Sequence, residues 1–157
     1  RSPYWNPRAR AAFVGLQMSD GRAAMARAVL EGVAFNLYSG LRAFDENGVA
    51  VKAIDAVGGA ANAGLLLDIF ADVWGVPVTR RELVSEAGAI GAAVVAGLGV
   101  GIFTDPAVAR TISGSQYVDA GAIHRPDHDR HRRYQREYGA FLDAYRALEP
   151  WFDAAGS

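Results

Sequence analysis

The feature that most constrains the fold of this chain is a short apolar stretch that runs into two glycines just before a helix. Ala53–Val57 has the composition of a buried strand, and Gly58-Gly59 interrupts it. Apolar residues then recur with helical spacing from Leu66 to Trp74. Strand and helix patterns alternate again further along the chain. Such alternation with short connections predicts right-handed crossovers and a parallel sheet covered by helices, which is an α/β domain.

The remaining patterns predict two further strands and three further helices. Asp20 is predicted to cap the first of these helices, and Asn47-Gly48 to end it. Periodicity and glycine positions predict strands over Ala11–Leu16 and Val76–Thr79, and helices over Arg22–Phe44, Glu86–Leu98 and Asp127–Leu148.

Length and composition limit the classes of protein to consider. The 157 residues, 51% of them hydrophobic, suit one globular domain. A formal charge of -1 argues against a dedicated nucleic-acid-binding protein. The chain has no cysteine, which excludes disulfides and thiolate chemistry and suits a reducing compartment such as the cytoplasm. Ala87–Phe103 is uncharged but too short to span a membrane, so we expect a buried helix of small residues there.

The candidate binding site is the turn after the strand, formed by Gly58, Gly59, Ala60, Ala61 and Asn62. Small residues let a ligand approach the main chain, and the first amides of a helix offer unpaired donors to phosphate. The alternative is a tight turn with no ligand. A Walker loop is excluded because Leu65 stands where its lysine belongs, and the glycine spacing does not match a dinucleotide fingerprint.

Other polar residues favour structural roles. His124, His128 and His131, with Asp127 and Asp129, lack the spacing of a metal site and indicate a solvated helix start. The six arginines from His124 onward are balanced by six acids, which favours surface salt bridges over phosphate binding. Four further carboxylates are interpreted as helix caps or polar helix faces, namely Asp20, Asp68, Asp72 and Glu86.

Several ordered blocks together resemble the C-terminal domain of the FGGY carbohydrate kinases, and within that family the xylulokinase branch. Arg1–Leu16 is similar to the segment that leads into this domain's central strands, and Arg27–Phe35 to its signature helix. Gly58–Ala61 occupies the place of the family's Gly-Gly-Gly-Ala nucleotide loop. Ala71–Val78 and Glu86–Ala93 are similar to the next two blocks. The resemblance covers nearly the whole chain, which opens without a methionine and is therefore expected to be the interior of a longer product.

This resemblance implies an actin-like ATPase fold, related to ribonuclease H, with a mixed sheet covered by helices and a C-terminal helical extension over 124–157. It implies ATP or ADP at Gly58, Gly59 and Ala60, with Mg²⁺ bound through the nucleotide phosphates and no metal site of its own. It also implies that the sugar pocket and the catalytic aspartate lie in a preceding domain, so no catalytic residue is expected in this chain. Ala60 and Asp68 depart from the family pattern, which commonly has glycine and glutamine there, and Ala24 replaces a frequent histidine.

The resemblance therefore implies the ATP-binding half of a sugar kinase that phosphorylates a ketose such as xylulose and is inactive alone. One alternative is a non-catalytic nucleotide-binding or interaction module with the same fold. Another is a dinucleotide-binding oxidoreductase domain, in which Glu82 would contact a ribose. No nucleic acid or membrane is expected as a partner. An open strand edge predicts self-association into a homo-oligomer.

Overall fold

The computed structural model describes residues 6–81, 87–112 and 123–155. The chain divides into two compact units, one of residues 1–51, 72–75 and 126–157, and one of residues 52–71 and 76–125. The elements in chain order are α1 (Arg22–Glu46), β1 (Ile54–Ala56), a 3₁₀ turn (Gly59–Asn62), α2 (Gly64–Trp74), β2 (Val78–Arg80), α3 (Ala87–Gly99), α4 (Val108–Ile112), β3 (Ile123–His124) and α5 (His128–Ala155).

The first unit is held together by aromatic side chains between α1 and α5. Phe35 of α1 lies with its ring centroid 5.9 Å from Tyr134 and 5.5 Å from Phe141, and Tyr38 lies edge-on to Tyr138 at 4.9 Å. Such offset and edge-to-face pairs add to the free energy of burial. The predicted helical period of α5 is therefore confirmed as a packing face. On α1 the contacts come from Phe35 and Tyr38, whereas Leu37 and Phe44 of its predicted apolar period are 50% and 54% accessible.

The second unit contains a small mixed sheet in the order β1-β2-β3. β1 and β2 pair in parallel, with Ile54 opposite Val78, as the strand–helix alternation predicted. β3 pairs with β2 in the antiparallel direction, with Val78 opposite His124. The mixed α/β fold implied by the resemblance is confirmed. β1 and β3 are the edges of this sheet within the described part of the chain, and self-association through an edge stays a prediction.

Two local predictions for the first helix and the segment before it are wrong. Residues 11–16 form no strand and are exposed, because no neighbouring strand among the described residues pairs with them. Asp20 does not cap α1, since its carboxylate accepts a bond from the amide of Gln17 and Gly21 is the N-cap residue. The predicted stop is confirmed, because Asn47 donates to the carbonyl of Ala43 and Gly48 adopts a positive φ of 76°.

Two further predictions fail at α3 and α5. The helix of small residues forms, but most of it is exposed rather than buried, with Val95 70% accessible. α5 continues beyond Leu148 and contains Pro150. A proline inside a helix removes one backbone bond, here to the carbonyl of Arg146, without ending this helix. No helix in the described ranges is long and apolar enough to cross a membrane.

Candidate functional site

The turn that follows β1 has a backbone conformation that only glycine adopts readily. Gly58 has a φ of 90° and a ψ of 175°, in a region forbidden to most side chains. Gly59 starts the 3₁₀ turn, and a Cβ atom built on it would meet nothing within 4 Å. The main chain is therefore open to a ligand at Gly59, while Gly58 is required for the turn itself.

Two backbone amides at this turn have no carbonyl partner within the described ranges, as helix geometry leads one to expect. The first bond of the 3₁₀ turn runs from the amide of Ala61 to the carbonyl of Gly58 at 3.0 Å. The preceding amides of Gly59 and Ala60 have no earlier carbonyl in the turn to donate to. At the start of α2, the first amides to bond backward are those of Leu66 and Leu67, which donate to Ala63. The site therefore presents main-chain donors at successive helix starts, which suits an anion.

The five predicted site residues differ in their accessibility to solvent. Gly59, Ala60 and Asn62 are exposed, and Gly58 is half-buried. Ala61 is only 2% accessible, so its methyl group packs in the interior and only its main chain is placed to take part. The five residues are thus adjacent in one turn, with four of them accessible.

Next to the turn, the carboxyl ends of the parallel strands are joined by one ion pair. The guanidinium of Arg81 donates to the carboxylate of Asp55 at 2.8 Å, and the amide of Arg81 donates to the carbonyl of Ala56 at 3.1 Å. Ligands of open α/β sheets bind at the carboxyl ends of the strands. The structure places the candidate turn at that edge, which the sequence pattern did not itself establish.

The three histidines do not form a metal site. His124 pairs with Asp68 at 2.6 Å, His131 lies 2.9 Å from the carbonyl of Asp72, and His128 is exposed. Among the residues that the structure describes, no group of three histidine or acidic side chains could hold a metal ion. Asp127 caps α5, accepting bonds from the amides of Asp129 and Arg130 at 2.9 Å. Those bonds, that from Arg130 first, hold the pKa of the Asp127 carboxyl below its ordinary value.

The predicted salt bridges of the arginine run are confirmed, with one difference in burial. Arg132 pairs with Asp129 and Arg133 with Glu137, both on the exposed surface of α5. Arg130 instead donates to Asp72, whose side chain is 4% accessible. The interpretation of Asp72 as part of a polar helix face is therefore wrong, because α5 covers that carboxylate and supplies its hydrogen-bond donors. Glu82 and Glu86 lie outside the described residues.

A second polar cluster, in which only Tyr134 is buried, joins α1 to α5. The hydroxyl of Tyr134 donates to Glu31 at 2.7 Å and accepts from Arg27 at 2.8 Å, while Arg27 also donates to Glu31 at 2.7 Å. Burial and the bond to Glu31 raise the pKa of Tyr134. The bond from Arg27 to Tyr134 raises the pKa of Arg27. Every member has a partner, so this cluster is structural.

The first unit also contains an apolar groove of about 1370 Å³. Its walls are the segment before α1, α1 itself and α5, and they include Phe13, Val33 and Phe141. The polar groups on these walls are few, and none of the five predicted site residues contributes to them. The groove therefore offers apolar surface for packing and few polar groups that could bind or react with a ligand.

Comparison with known proteins gives the family. The C-terminal domain of the FGGY family of carbohydrate kinases matches residues 1–100. A glycerol kinase from Dechloromonas aromatica is 37% identical over 155 residues, which are 94% of this chain and 28% of the relative. A xylulose kinase from Lactobacillus acidophilus, solved with bound ligand, has a TM-score of 0.82 and 27% identity over 98% of this chain and 30% of that one.

A crystal structure of glycerol kinase from Plasmodium falciparum with ADP is similar in fold, with a TM-score of 0.66 and 23% identity over 91% of this chain and 28% of that one. The chain spans roughly a quarter of the length of the curated relatives it matches. The match to the family covers 100 of the 157 residues and includes the glycine turn. The chain therefore belongs to the FGGY family of carbohydrate kinases, as part of their C-terminal domain.

Proposed function

We propose that this chain is the nucleotide-binding half of a carbohydrate kinase that transfers the γ-phosphoryl group of ATP to a hydroxyl of a ketose such as xylulose. The observation that carries the proposal is the glycine turn at the carboxyl edge of the sheet. Gly59 is open to solvent, and the turn has amides that the fold leaves unpaired. Membership of the family supports a kinase over a dinucleotide-binding oxidoreductase.

In this proposal the main chain holds the nucleotide phosphates. The amides of Gly59 and Ala60 donate to phosphate oxygens, and the amino end of the following helix adds a favourable dipole. Mg²⁺, bound through the phosphates, neutralises charge that develops during transfer.

The catalytic base is proposed to lie in a domain that this chain does not contain. Phosphoryl transfer depends on positioning both substrates and neutralising charge, so half of a cleft contributes little. The 157-residue protein should therefore show no phosphorylation of xylulose. Turnover by rigorously pure protein, measured as ADP release, would contradict the placement of the base elsewhere.

Glycerol is the second candidate acceptor, because a glycerol kinase is 37% identical over 94% of this chain. The likeness in fold to a xylulose kinase supports the ketose instead. A longer chain that contains both domains, assayed with xylulose and glycerol at equal concentrations, distinguishes the two. A preference for glycerol would overturn the ketose assignment and leave the kinase assignment standing.

Nucleotide binding is tested by calorimetric titration with a non-hydrolysable ATP analogue and Mg²⁺, and separately with NADH. The proposal expects binding of the analogue and none of NADH. Gly59→Leu should abolish binding without lowering the melting temperature, because its side chain enters open space. Ala60→Gly is the matched control and should bind at least as well as the unsubstituted protein. NADH binding alone would favour the oxidoreductase instead.

A further inference from the structure

A histidine and an aspartate from distant parts of the chain meet beside the candidate turn. Nδ1 of His124 lies 2.6 Å from Oδ1 of Asp68, although the residues are 56 positions apart. The His124 side chain is 19% accessible, and that of Asp68 is 58% accessible. The histidine of the pair is thus mostly covered by protein, whereas the carboxylate is accessible to solvent.

The register of the sheet fixes which face His124 occupies. His124 of β3 is directly opposite Val78 of β2, and Val78 is opposite Ile54 of β1. Directly paired residues point to the same face of a sheet. The side chain of His124 therefore lies on the same face of the sheet as those of Val78 and Ile54, and β1 leads into the glycine turn.

The same imidazole lies near the first residue of α2. A Cβ atom built on Gly64 would be 3.9 Å from Cε1 of His124, which is ordinary contact distance. Asp68 lies one turn further along α2, at the i+4 position. The ring of His124 therefore lies near the beginning of α2, and its Nδ1 bonds to Asp68 in the next turn.

The bond to Asp68 also fixes the orientation of the ring. A carboxylate accepts hydrogen bonds, so Nδ1 carries the proton in this pair. The partner of a histidine generally determines which ring nitrogen is protonated. The amides of Gly64 and Leu65 come before the first backward bonds of α2, which start at Leu66 and Leu67. The pair thus lies at the start of α2, which only Ala63 separates from Asn62.

We propose that Asp68 and His124 are a positioning pair that holds the start of α2, and with it the glycine turn, in the geometry that receives the nucleotide phosphates. This inference rests on the proposed function. Neither side chain is assigned a contact with the nucleotide. The pair acts by reducing the motion of backbone amides, so that less entropy is lost when the ligand binds.

The test is titration of the full 157-residue protein with the ATP analogue and Mg²⁺, using variants of both residues. Asp68→Ala and His124→Leu should each weaken binding about three- to tenfold, the range of one hydrogen bond. The double variant should bind no more weakly than the worse single variant, because both remove the same interaction. His124→Asn keeps an amide nitrogen at the position of Nδ1 and should bind within about twofold of the unsubstituted protein. His128→Leu, at an exposed histidine of α5, is the matched control and should have no effect.

Hydrogen exchange without nucleotide gives a second readout. The amides of Leu66 and Leu67, which donate to the carbonyl of Ala63, should exchange faster in Asp68→Ala and His124→Leu than in His124→Asn. Singly substituted proteins that bind the analogue as well as the unsubstituted one would overturn the inference, as would His124→Asn binding as poorly as His124→Leu. Failure of the unsubstituted protein to bind the analogue would instead overturn the proposed function, while the exchange rates would still report whether the pair orders α2.

Discussion

The carboxylate of Asp72, at the last turn of α2, accepts a 2.7 Å hydrogen bond from Nε of Arg130 in the first turn of α5. Its other oxygen accepts a 2.8 Å bond from the amide of Asp127. Asp72 is 3% accessible, so its carboxylate depends on these two donors in place of water. One buried side chain thus bonds to the beginning of α5, the longest helix in the described part of the chain.

We expect Asp72→Ala to lower the free energy of unfolding by about 1–3 kcal/mol, because it removes both hydrogen bonds and leaves the amide of Asp127 without this acceptor. Chemical denaturation followed by circular dichroism measures the change. Asp143→Ala is the matched control, since Asp143 pairs with Arg146 on the exposed face of α5. Equal effects of the two substitutions would show that Asp72 does not anchor the helix.

The N-cap at Asp127 makes stability depend on acid pH. Its pKa is lowered in the folded protein, so its contribution is present above the ordinary carboxyl value and is lost as the pH falls through the folded value. The unsubstituted protein should lose more stability between pH 6 and about pH 3 than Asp127→Asn, which caps without a charge. Urea denaturation at both pH values measures the difference. Equal losses of stability in the two proteins would show that Asp127 does not cause the dependence on pH.

Alanine substitutions at Gly75 and Gly48 distinguish the effect of backbone strain on stability from that of steric contact. Both glycines lie in the first unit just after a helix, with a positive φ of 73° and 76°. An alanine at either position must adopt the left-handed backbone conformation, which costs about 1–2 kcal/mol. At Gly75 the new Cβ would also come within 2.5 Å of the His131 ring, whereas at Gly48 it meets nothing.

Gly75→Ala should therefore lower the melting temperature clearly more than Gly48→Ala. Differential scanning calorimetry of the two variants measures this. If Gly75→Ala is no worse than Gly48→Ala, the close packing of His131 on Gly75 is not present in solution.

Tyr134→Phe removes two hydrogen bonds from the cluster with Arg27 and Glu31 but leaves the bond between those two residues. We expect a loss of about 1 kcal/mol of unfolding free energy. The raised pKa of Tyr134 means that this stabilisation is present below the ordinary tyrosine value and is lost as the pH rises through the folded value. An ultraviolet titration should show that Tyr134→Phe removes a late-ionising component, and an unchanged titration would contradict the cluster.

The sequence predicted the elements whose signals are local. The helical period from Leu30 to Phe44 and from Tyr134 to Leu148 identified α1 and α5, and Gly58-Gly59 identified the turn after β1. These signals lie within one element, so one window of sequence contains them.

The failures concern partners that are distant in sequence. Residues 11–16 have a strand composition but no strand to pair with among the described residues. Asp72 has the spacing of a polar face, yet it is covered by Arg130, 58 positions later. The bond between Asp68 and His124 depends on β3, a two-residue strand too short to give a periodic signal. Only the pairing of β2 with β3 brings that histidine to α2.

The most direct measurement of the central claim is a nuclear magnetic resonance titration of the ¹⁵N-labelled protein with ADP and Mg²⁺. The account predicts that the largest amide shifts fall on Gly58–Asn62 and on the start of α2, and that Gly59→Leu removes them. Shifts confined to other residues, or a spectrum that does not change at millimolar ADP, would contradict the account.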